Sequence, residues 1–358
     1  MKLLINALSG IGDALMFSPT LESLKTNCPD VQIDFLVMYK SVKELYENNP
    51  HINNIYYIDL IKQSKLKSIK EIFDLRKNIY DYAINIYPSN RFEYNLLNFL
   101  IGSKNRLSFR YIHSNILRFE FLNTHLIAEK KDIHNVLQNL EIVKLLCRNN
   151  DIEGSKMDIY FSEETDKLAK EWIDKNNLNN RLIVGIHAGS STIKNHINKR
   201  WQNSKYSDLG KKLVSEFNAH ILLFGNEVEL NNEICKDIGI QCTVVNTKYF
   251  MDSVAIMKYC KIFVSNDTAF LHCASALSIP IVAIFGYTNF NELYPWKTKH
   301  IIVRKQLECS PCFYNSPKPA SCFWKGTEKF KCMKTIEVNE VFDACELLIK
   351  EIPDYSKS

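Results

Sequence analysis

The sequence predicts an α/β protein built on parallel, doubly wound sheets, and three observations predict it. Short apolar runs such as Lys2–Ala7, Gln32–Val37 and Ile281–Ile284 alternate with segments of helical periodicity. Several runs end in a turn rich in glycine and serine that opens the next helix, as at Ser9-Gly10-Ile11-Gly12-Asp13 and Ile186-His187-Ala188-Gly189-Ser190. The alternation stops near Asn176-Asn177-Leu178-Asn179-Asn180 and then starts again, which divides the chain into two similar halves.

In order, Lys2–Ala7 is the first strand, and Ala14–Thr26 a helix that Pro19 kinks or restarts. Strands at 32–37, 54–58 and 82–86 then alternate with helices at 40–48 and 65–78, and a long helix covers 134–147. After a polar stretch at 151–164 and a helix at 165–176, strands fall at 182–186, 220–224, 243–245, 262–264 and 281–284. Helices at 205–216, 227–237 and 251–258 separate them. The expected organisation is two Rossmann-like domains facing across a cleft, residues 1–175 and 181–338, with a final helical segment at 339–358. Ligands on such sheets bind at the carboxyl ends of the strands.

Composition bounds the function. The 358 residues are 46% hydrophobic and 24% charged, the balance of a globular protein of two ordinary domains. A net charge of +5 is a mild bias that does not point to nucleic acid. The basic residues do cluster at Lys62, Lys65, Lys67 and Lys70 and at Arg106, Arg110 and Arg118. Such a cluster is either a solvated face or one that meets an anionic membrane or a phosphorylated acceptor. No apolar run approaches the roughly 18 residues of a membrane span. The N-terminus reads as a strand rather than a signal sequence, so a cytoplasmic protein is expected.

Four strand-end turns carry chemistry. In Gly10-Ile11-Gly12-Asp13 two glycines let the backbone approach a ligand, although the third glycine of a dinucleotide fingerprint is missing. Asp13 serves there either as a helix cap or as a general base. Gly189 and Ser190 suit phosphate contacts, and the following Lys199 and Arg200 suit either a diphosphate clamp or a salt-bridged loop. Gly225-Asn226-Glu227 ends another strand, where a ribose or base can rest; Glu227 and Glu229 are equally ordinary first-turn residues. Asn266-Asp267-Thr268-Ala269 precedes an apolar helix whose first N–H groups make an anion site, with His272 one turn on.

These pieces, together with Leu223-Phe224-Gly225 and Ile284-Phe285-Gly286-Tyr287-Thr288, resemble glycosyltransferase family 9 in the family's own order. The family contains the heptosyltransferases of lipopolysaccharide assembly. The resemblance implies the GT-B architecture, with the donor mainly on the second domain, the acceptor mainly on the first, and the final helix crossing back to the first. It implies Asp13 as the catalytic base, Ser190 and Lys199 as donor-phosphate contacts, and Asp267, Thr268 and His272 in the diphosphate-binding turn. The anionic Asp267 is assigned to capping the helix. Gly12, Gly189, Glu227 and Ala269 complete the expected donor-binding set; Ala269 stands where the family usually has glycine. The expected reaction is inverting transfer of heptose from ADP-heptose to a lipid A–core acceptor, with no catalytic cofactor. Its expected place is the cytoplasm, peripheral at the inner face of the inner membrane, with an anionic glycolipid as partner and no nucleic acid. The competing readings are a GT-B-fold nucleotide-sugar epimerase, a family 9 transferase using another sugar or a protein acceptor, and a non-catalytic binding relative. The joint presence of Asp13 and Lys199 argues against the last.

Of eleven cysteines, Cys28, Cys147, Cys235, Cys242, Cys260, Cys273 and Cys345 are scattered and read as small core residues. Cys309, Cys312, Cys322 and Cys332 are grouped in a segment rich in proline, lysine and aromatics. Four thiolates at such spacings can close a tetrahedral structural site, zinc first and iron second; four free thiols in a loop is the alternative.

Overall fold

The computed structural model describes residues 1–113, 116–314 and 318–353. The chain divides into two units, Met1–Tyr160 and the part from Phe161 onward.

The first unit contains β1 (Lys2–Ala7), α1 (Ile11–Leu15), α2 (Ser18–Asn27), β2 (Gln32–Val37), α3 (Lys40–Tyr46), β3 (Asn54–Tyr57), α4 (Lys65–Leu75), β4 (Tyr82–Asn85), α5 (Phe92–Leu100), β5 (Asn105–Arg110), β6 (His125–Ala128) and α6 (Asn135–Cys147). All strands are parallel, in the order β3-β2-β1-β4-β5-β6. The expected restart at Pro19 is present: α1 stops at Leu15, and α2 places Pro19 in its first turn, where a missing N–H costs nothing. Leu4, Leu36 and Ala83 of the sheet pack against Ile72, Leu75, Tyr94 and Leu97; each leucine or isoleucine contributes roughly 1.5–3 kcal/mol on burial. Beside this apolar core lies a polar one. Asn6 donates to Asn85 and Asn98, both at 3.1 Å. Ser108 and Asn123 both donate to Asn95 at 2.9 Å. Cys28 and Cys147, expected to be separate core thiols, form a disulfide between the ends of α2 and α6 across a Cα separation of 6.3 Å.

The second unit contains α7 (Glu163–Lys175), β7 (Ile183–His187), α8 (Asn203–Phe217), β8 (His220–Leu223), α9 (Val228–Ile238), β9 (Cys242–Val244), α10 (Phe250–Met257), β10 (Ile262–Asn266), α11 (Ala269–Ala276), β11 (Ile281–Ile284), α12 (Phe290–Leu293), β12 (His300–Val303), α13 (Lys331–Lys334) and α14 (Val338–Lys350). The strands are again all parallel, in the order β12-β11-β10-β7-β8-β9. Its core runs from Val184, Ile186, Ile221 and Val264 through the fully buried Trp201 and Tyr206 to Val341, Cys345 and Ile349.

Two expected boundaries move. α7 belongs to the second unit because Ala169 and Ile173 bury a face against α10, so the division falls at Tyr160 and not after residue 175. The final helix belongs to the second unit as well: α14 packs on α8 and on β10, β11 and β12 through Val341, Phe342, Cys345 and Ile349. It therefore extends the second domain's core rather than the first's; residues 354–358 of the expected segment lie outside the described residues.

Each sheet reverses its strand order once, between β1 and β4 in the first unit and between β7 and β10 in the second. In doubly wound sheets that reversal opens a crevice at the carboxyl edge. Gly10–Asp13 follows β1, Gly189 and Ser190 follow β7, and Asp267 follows β10, so the motifs converge on the two reversal points.

Candidate active site

At the first reversal point Gly10 is the extended N-cap of α1, which begins three residues earlier than expected, so Asp13 lies in its first turn. The N-cap residue, Gly10, has no side chain with which to cap the helix. The charge of Asp13 is felt by the phenols of Tyr39 and Tyr111. Burial raises the Tyr39 pKa; the Arg91 cation opposes this and Asp13 reinforces it. Tyr94 is pushed up to about 12, chiefly by burial. Its hydroxyl donates to the Leu8 carbonyl at 3.0 Å, which ties α5 to the β1 loop. Raised by burial, these phenols stay protonated at neutral pH. None of Tyr39, Arg91, Tyr94 and Tyr111 was expected at the site. Arg91 was findable, because Pro88-Ser89-Asn90 after an apolar run marks a strand-end turn.

At the second reversal point the expected residues form one ionic lattice. Lys199 Nζ lies 2.7 Å from Asp267 Oδ2. Asp267 is buried, and burial would raise its carboxyl; Lys199, His272 and Thr288 outweigh that and hold it below the usual range. The expected capping role is not what Asp267 does. The N-cap of α11 is Thr268, without a side-chain cap, and the buried carboxylate goes to the cation instead, because an unpaired buried charge is far costlier than an open cap. Ala269 is the first residue of α11. His272 lies 3.9 Å from Asp267 Oδ1, and burial pushes it down to about 4, so its ring is neutral near pH 7. His196 is likewise lowered to about 4 by burial.

Glu227 is the N-cap of α9, yet its side chain turns back to the end of β7. Oε1 accepts from the Ser190 backbone N–H at 2.9 Å and from Arg200 Nη2 at 3.2 Å. A Cβ at Gly189 would meet the Glu227 carboxyl carbon at 2.2 Å, and one at Gly225 would meet Oε2 at 2.7 Å. Both glycines thus make room for this carboxylate; Gly225, at φ +108°, is also in a conformation side chains disfavour. Burial raises the Glu227 carboxyl, but His187 and Arg200 bring it below its ordinary value. Ser190 Oγ donates to the His196 carbonyl at 2.9 Å and accepts from Arg200 Nε at 3.2 Å.

Two residues that the sequence reading left without a role hold this lattice together. His187 Nδ1 is 2.9 Å from Thr268 Oγ1, while its Nε2 lies 3.8 Å from Glu227. Asn266 accepts from the Tyr206 hydroxyl at 2.6 Å and from the Trp201 N–H at 3.3 Å, and donates to the Gly189 carbonyl at 3.1 Å. It therefore fixes the Lys199–Trp201 loop to the β7 turn. Gly12 and Asp13 lie in the first unit, and the other expected site residues in the second.

The four grouped cysteines line one small cavity with Tyr287, Trp324 and Phe330. Cys322 Sγ accepts the Phe330 backbone N–H at 3.2 Å, and Cys309 Sγ accepts Trp324 Nε1–H at 3.4 Å. Among the described residues no three His, Cys, Asp or Glu side chains stand at ligand spacing. Burial pushes Cys332 up to about 11, and burial followed by the neighbouring Cys309 and Cys322 raises Cys312.

The glycosyltransferase family 9 (heptosyltransferase) description matches residues 70–320. The chain is 24% identical to lipooligosaccharide heptosyltransferase 2 of Campylobacter jejuni over 98% of this chain and 99% of that one. Among solved structures, the glycosyl transferase family 9 protein of Veillonella parvula superposes with a TM-score of 0.78 at 19% identity, covering 97% of this chain and 96% of that one. The ADP-heptose lps heptosyltransferase II of E. coli superposes at 0.73 with 20% identity, covering 97% and 98%. Two parallel sheets, each with a motif-bearing crevice, together with a family match over more than half its length, make this chain a glycosyltransferase of family 9, the heptosyltransferase family.

Proposed function

We propose that the enzyme moves a heptose from ADP-heptose to a lipopolysaccharide core acceptor, with inversion at the anomeric carbon. The observation that carries this is the lattice at the β7–β10 crevice: a lysine, an arginine and the N-terminus of the eight-residue α11 are gathered where a diphosphate can dock. The names of the similar enzymes supply the sugar and the acceptor class. In the reaction the acceptor hydroxyl attacks the anomeric carbon as the bond to the diphosphate breaks. Asp13 takes the hydroxyl proton, and Lys199 and the α11 N–H groups meet the charge that develops on the leaving diphosphate. Glu227 and its glycine cradle hold the nucleoside end. The acceptor would place the enzyme peripherally at the inner face of the inner membrane. Mass spectrometry of products from a panel of nucleotide sugars, with a core-truncated glycolipid as acceptor, tests the reading. Transfer from ADP-heptose supports it; transfer only from UDP- or GDP-sugars overturns the donor, and release of a free epimer overturns transfer.

We also propose that Cys309, Cys312, Cys322 and Cys332 hold a structural zinc or iron. They share one cavity, and N–H donors already point at two of the sulfurs, as thiolates require. Closing the site takes a side-chain rearrangement from the thiol arrangement described above. Elemental analysis of protein purified without chelator should give about one metal per chain, lost in Cys312→Ser together with thermal stability. Metal-free protein with unchanged melting overturns it.

A further inference from the structure

α5 is turned inside out. Its inward face carries Asn95 and Asn98, bonded into the buried asparagine network, beside Tyr94 and Leu97. Its solvent face carries Phe92, Leu96 and Phe99, spaced i, i+4, i+7, and Phe99 is 44% exposed. α4 repeats the pattern. Ile72 and Leu75 face the core, while Leu66, Ile69 and Phe73, at i, i+3, i+7, face solvent, with Leu66 83% exposed. The two faces are continuous. Arg76 lies over the Phe73 ring at 4.4 Å and donates to the Leu100 carbonyl at 2.8 Å, joining the ends of both helices. Arg106 lies over the Phe99 ring at 5.5 Å. Beyond Phe92, the ring of Phe119 bridges to Phe121 with centroid spacings of 5.7 and 5.8 Å, and Phe121 is 68% exposed. Phe119 is held at φ +54°, a costly conformation for an aromatic residue that keeps this ladder at the surface.

The same surface is cationic. Residues 62–110 carry ten Lys and Arg against four Asp and Glu, a local excess larger than the +5 of the whole chain. On α4 the acids Glu71 and Asp74 are already paired, with Lys67 at 3.7 Å and Lys77 at 2.6 Å. Lys62, Lys65, Lys70 and Arg110 are exposed around the apolar stripe. Apolar side chains in two parallel stripes, ringed by lysine and arginine, match the boundary between acyl chains and anionic head groups.

We propose that the outward faces of α4 and α5, with the Phe119–Phe121 ladder, are the surface by which this enzyme docks on an anionic lipid bilayer: Leu66, Phe73, Leu96 and Phe99 enter the acyl boundary and the surrounding cations meet the head groups. The proposal rests on the glycolipid reading only in giving the enzyme a reason to visit a bilayer. The test is flotation of the full chain with vesicles of phosphatidylcholine alone or mixed with phosphatidylglycerol, without sugar substrates, so its failure leaves the transfer reading standing. The chain should float with the mixed vesicles, more weakly as salt is raised and little with phosphatidylcholine alone. Leu66→Ser with Phe99→Ser should weaken binding roughly tenfold or more while circular dichroism and melting stay unchanged, since both side chains lie outside the core. No flotation of the folded wild-type chain, or equal flotation of wild type and double variant, would overturn the proposal. So would a wild-type dimer in sedimentation that the double variant disperses, which would assign the surface to a second copy.

Discussion

The two reversal points solve different electrostatic problems. In the second unit Lys199 pairs with the buried Asp267 and Arg200 with Glu227, both pairs largely out of solvent, and His272 and His187 pack against the two carboxylates. In the first unit the charge of Asp13 reaches the phenols of Tyr39 and Tyr111, which burial keeps protonated, and the Arg91 cation reaches Tyr39 and Tyr94. The difference teaches that a preorganised anion site needs its cations held rigid before the ligand arrives. A general base, the role proposed for Asp13, works best with a pKa near the operating pH, which burial and neighbouring charges tune.

The largest test of that contrast is Asp13→Asn. Turnover should fall roughly 10²–10⁴-fold, while calorimetric ADP affinity stays unchanged, because the nucleotide site proposed above lies in the other unit. Near-normal turnover would remove Asp13 as the base.

Lys199→Ala should instead damage binding and stability together. It leaves the buried Asp267 carboxylate without its cation, a loss whose upper range, about 3–5 kcal/mol, is that of a wholly buried pair. Adding Asp267→Asn should recover most of the stability, measured in urea, without recovering ADP binding. Recovery of both would mean that Lys199 serves only as a counter-ion.

Acid should separate the two regions. His196 and His272 are lowered to about 4 from 6.5, so the unfolded chain binds more protons between those values. Stability is therefore fully present above pH 6.5 and is lost as pH falls toward 4. The depressed Asp267 and Glu227 extend the loss below their ordinary values of 3.8 and 4.5. Tyr39, Tyr94 and Tyr111 of the first unit, raised by burial, do not titrate in this window. Hydrogen exchange at pH 5 should show the β7–β10 region opening before the β1–β4 region, and His272→Gln should reduce the difference.

The smallest effect is expected for Gly189→Ala. Its methyl group displaces the Glu227 carboxylate from the Ser190 N–H and from Arg200, an overpacking cost of about 1–3 kcal/mol felt as weaker ADP binding. Unchanged affinity would show that Glu227 stands apart from the nucleoside.

Most of the regular structure was legible because apolar runs on a buried parallel sheet are continuous and glycine turns end them, as at Lys2–Ala7 and Ile183–His187. The pattern leaves the edge strand β12 and the short α12 and α13 unassigned, and also α5, β5 and β6, for which the structure gives reasons. α5 buries Asn95 and Asn98 and exposes Phe92 and Phe99, so its polarity runs against the usual helix pattern. β5, Asn-Arg-Leu-Ser-Phe-Arg, buries Ser108 in the same polar core, and β6 is a short edge strand.

The sequence by itself determined the parallel α/β class, the restart at Pro19, the two halves, and the residue types at the strand ends. These follow from periodicity, proline geometry and turn chemistry, which act over a few residues. Only the tertiary structure decided that Asp267 pairs with Lys199 instead of capping α11, that Gly189 and Gly225 exist for Glu227, and that Cys28 meets Cys147. It also decided that α7 and α14 belong to the second unit. Each is a choice among partners distant in sequence, where burial raises the energy of every unpaired charge and exposed apolar face, and only the packed chain shows which partner lies within reach.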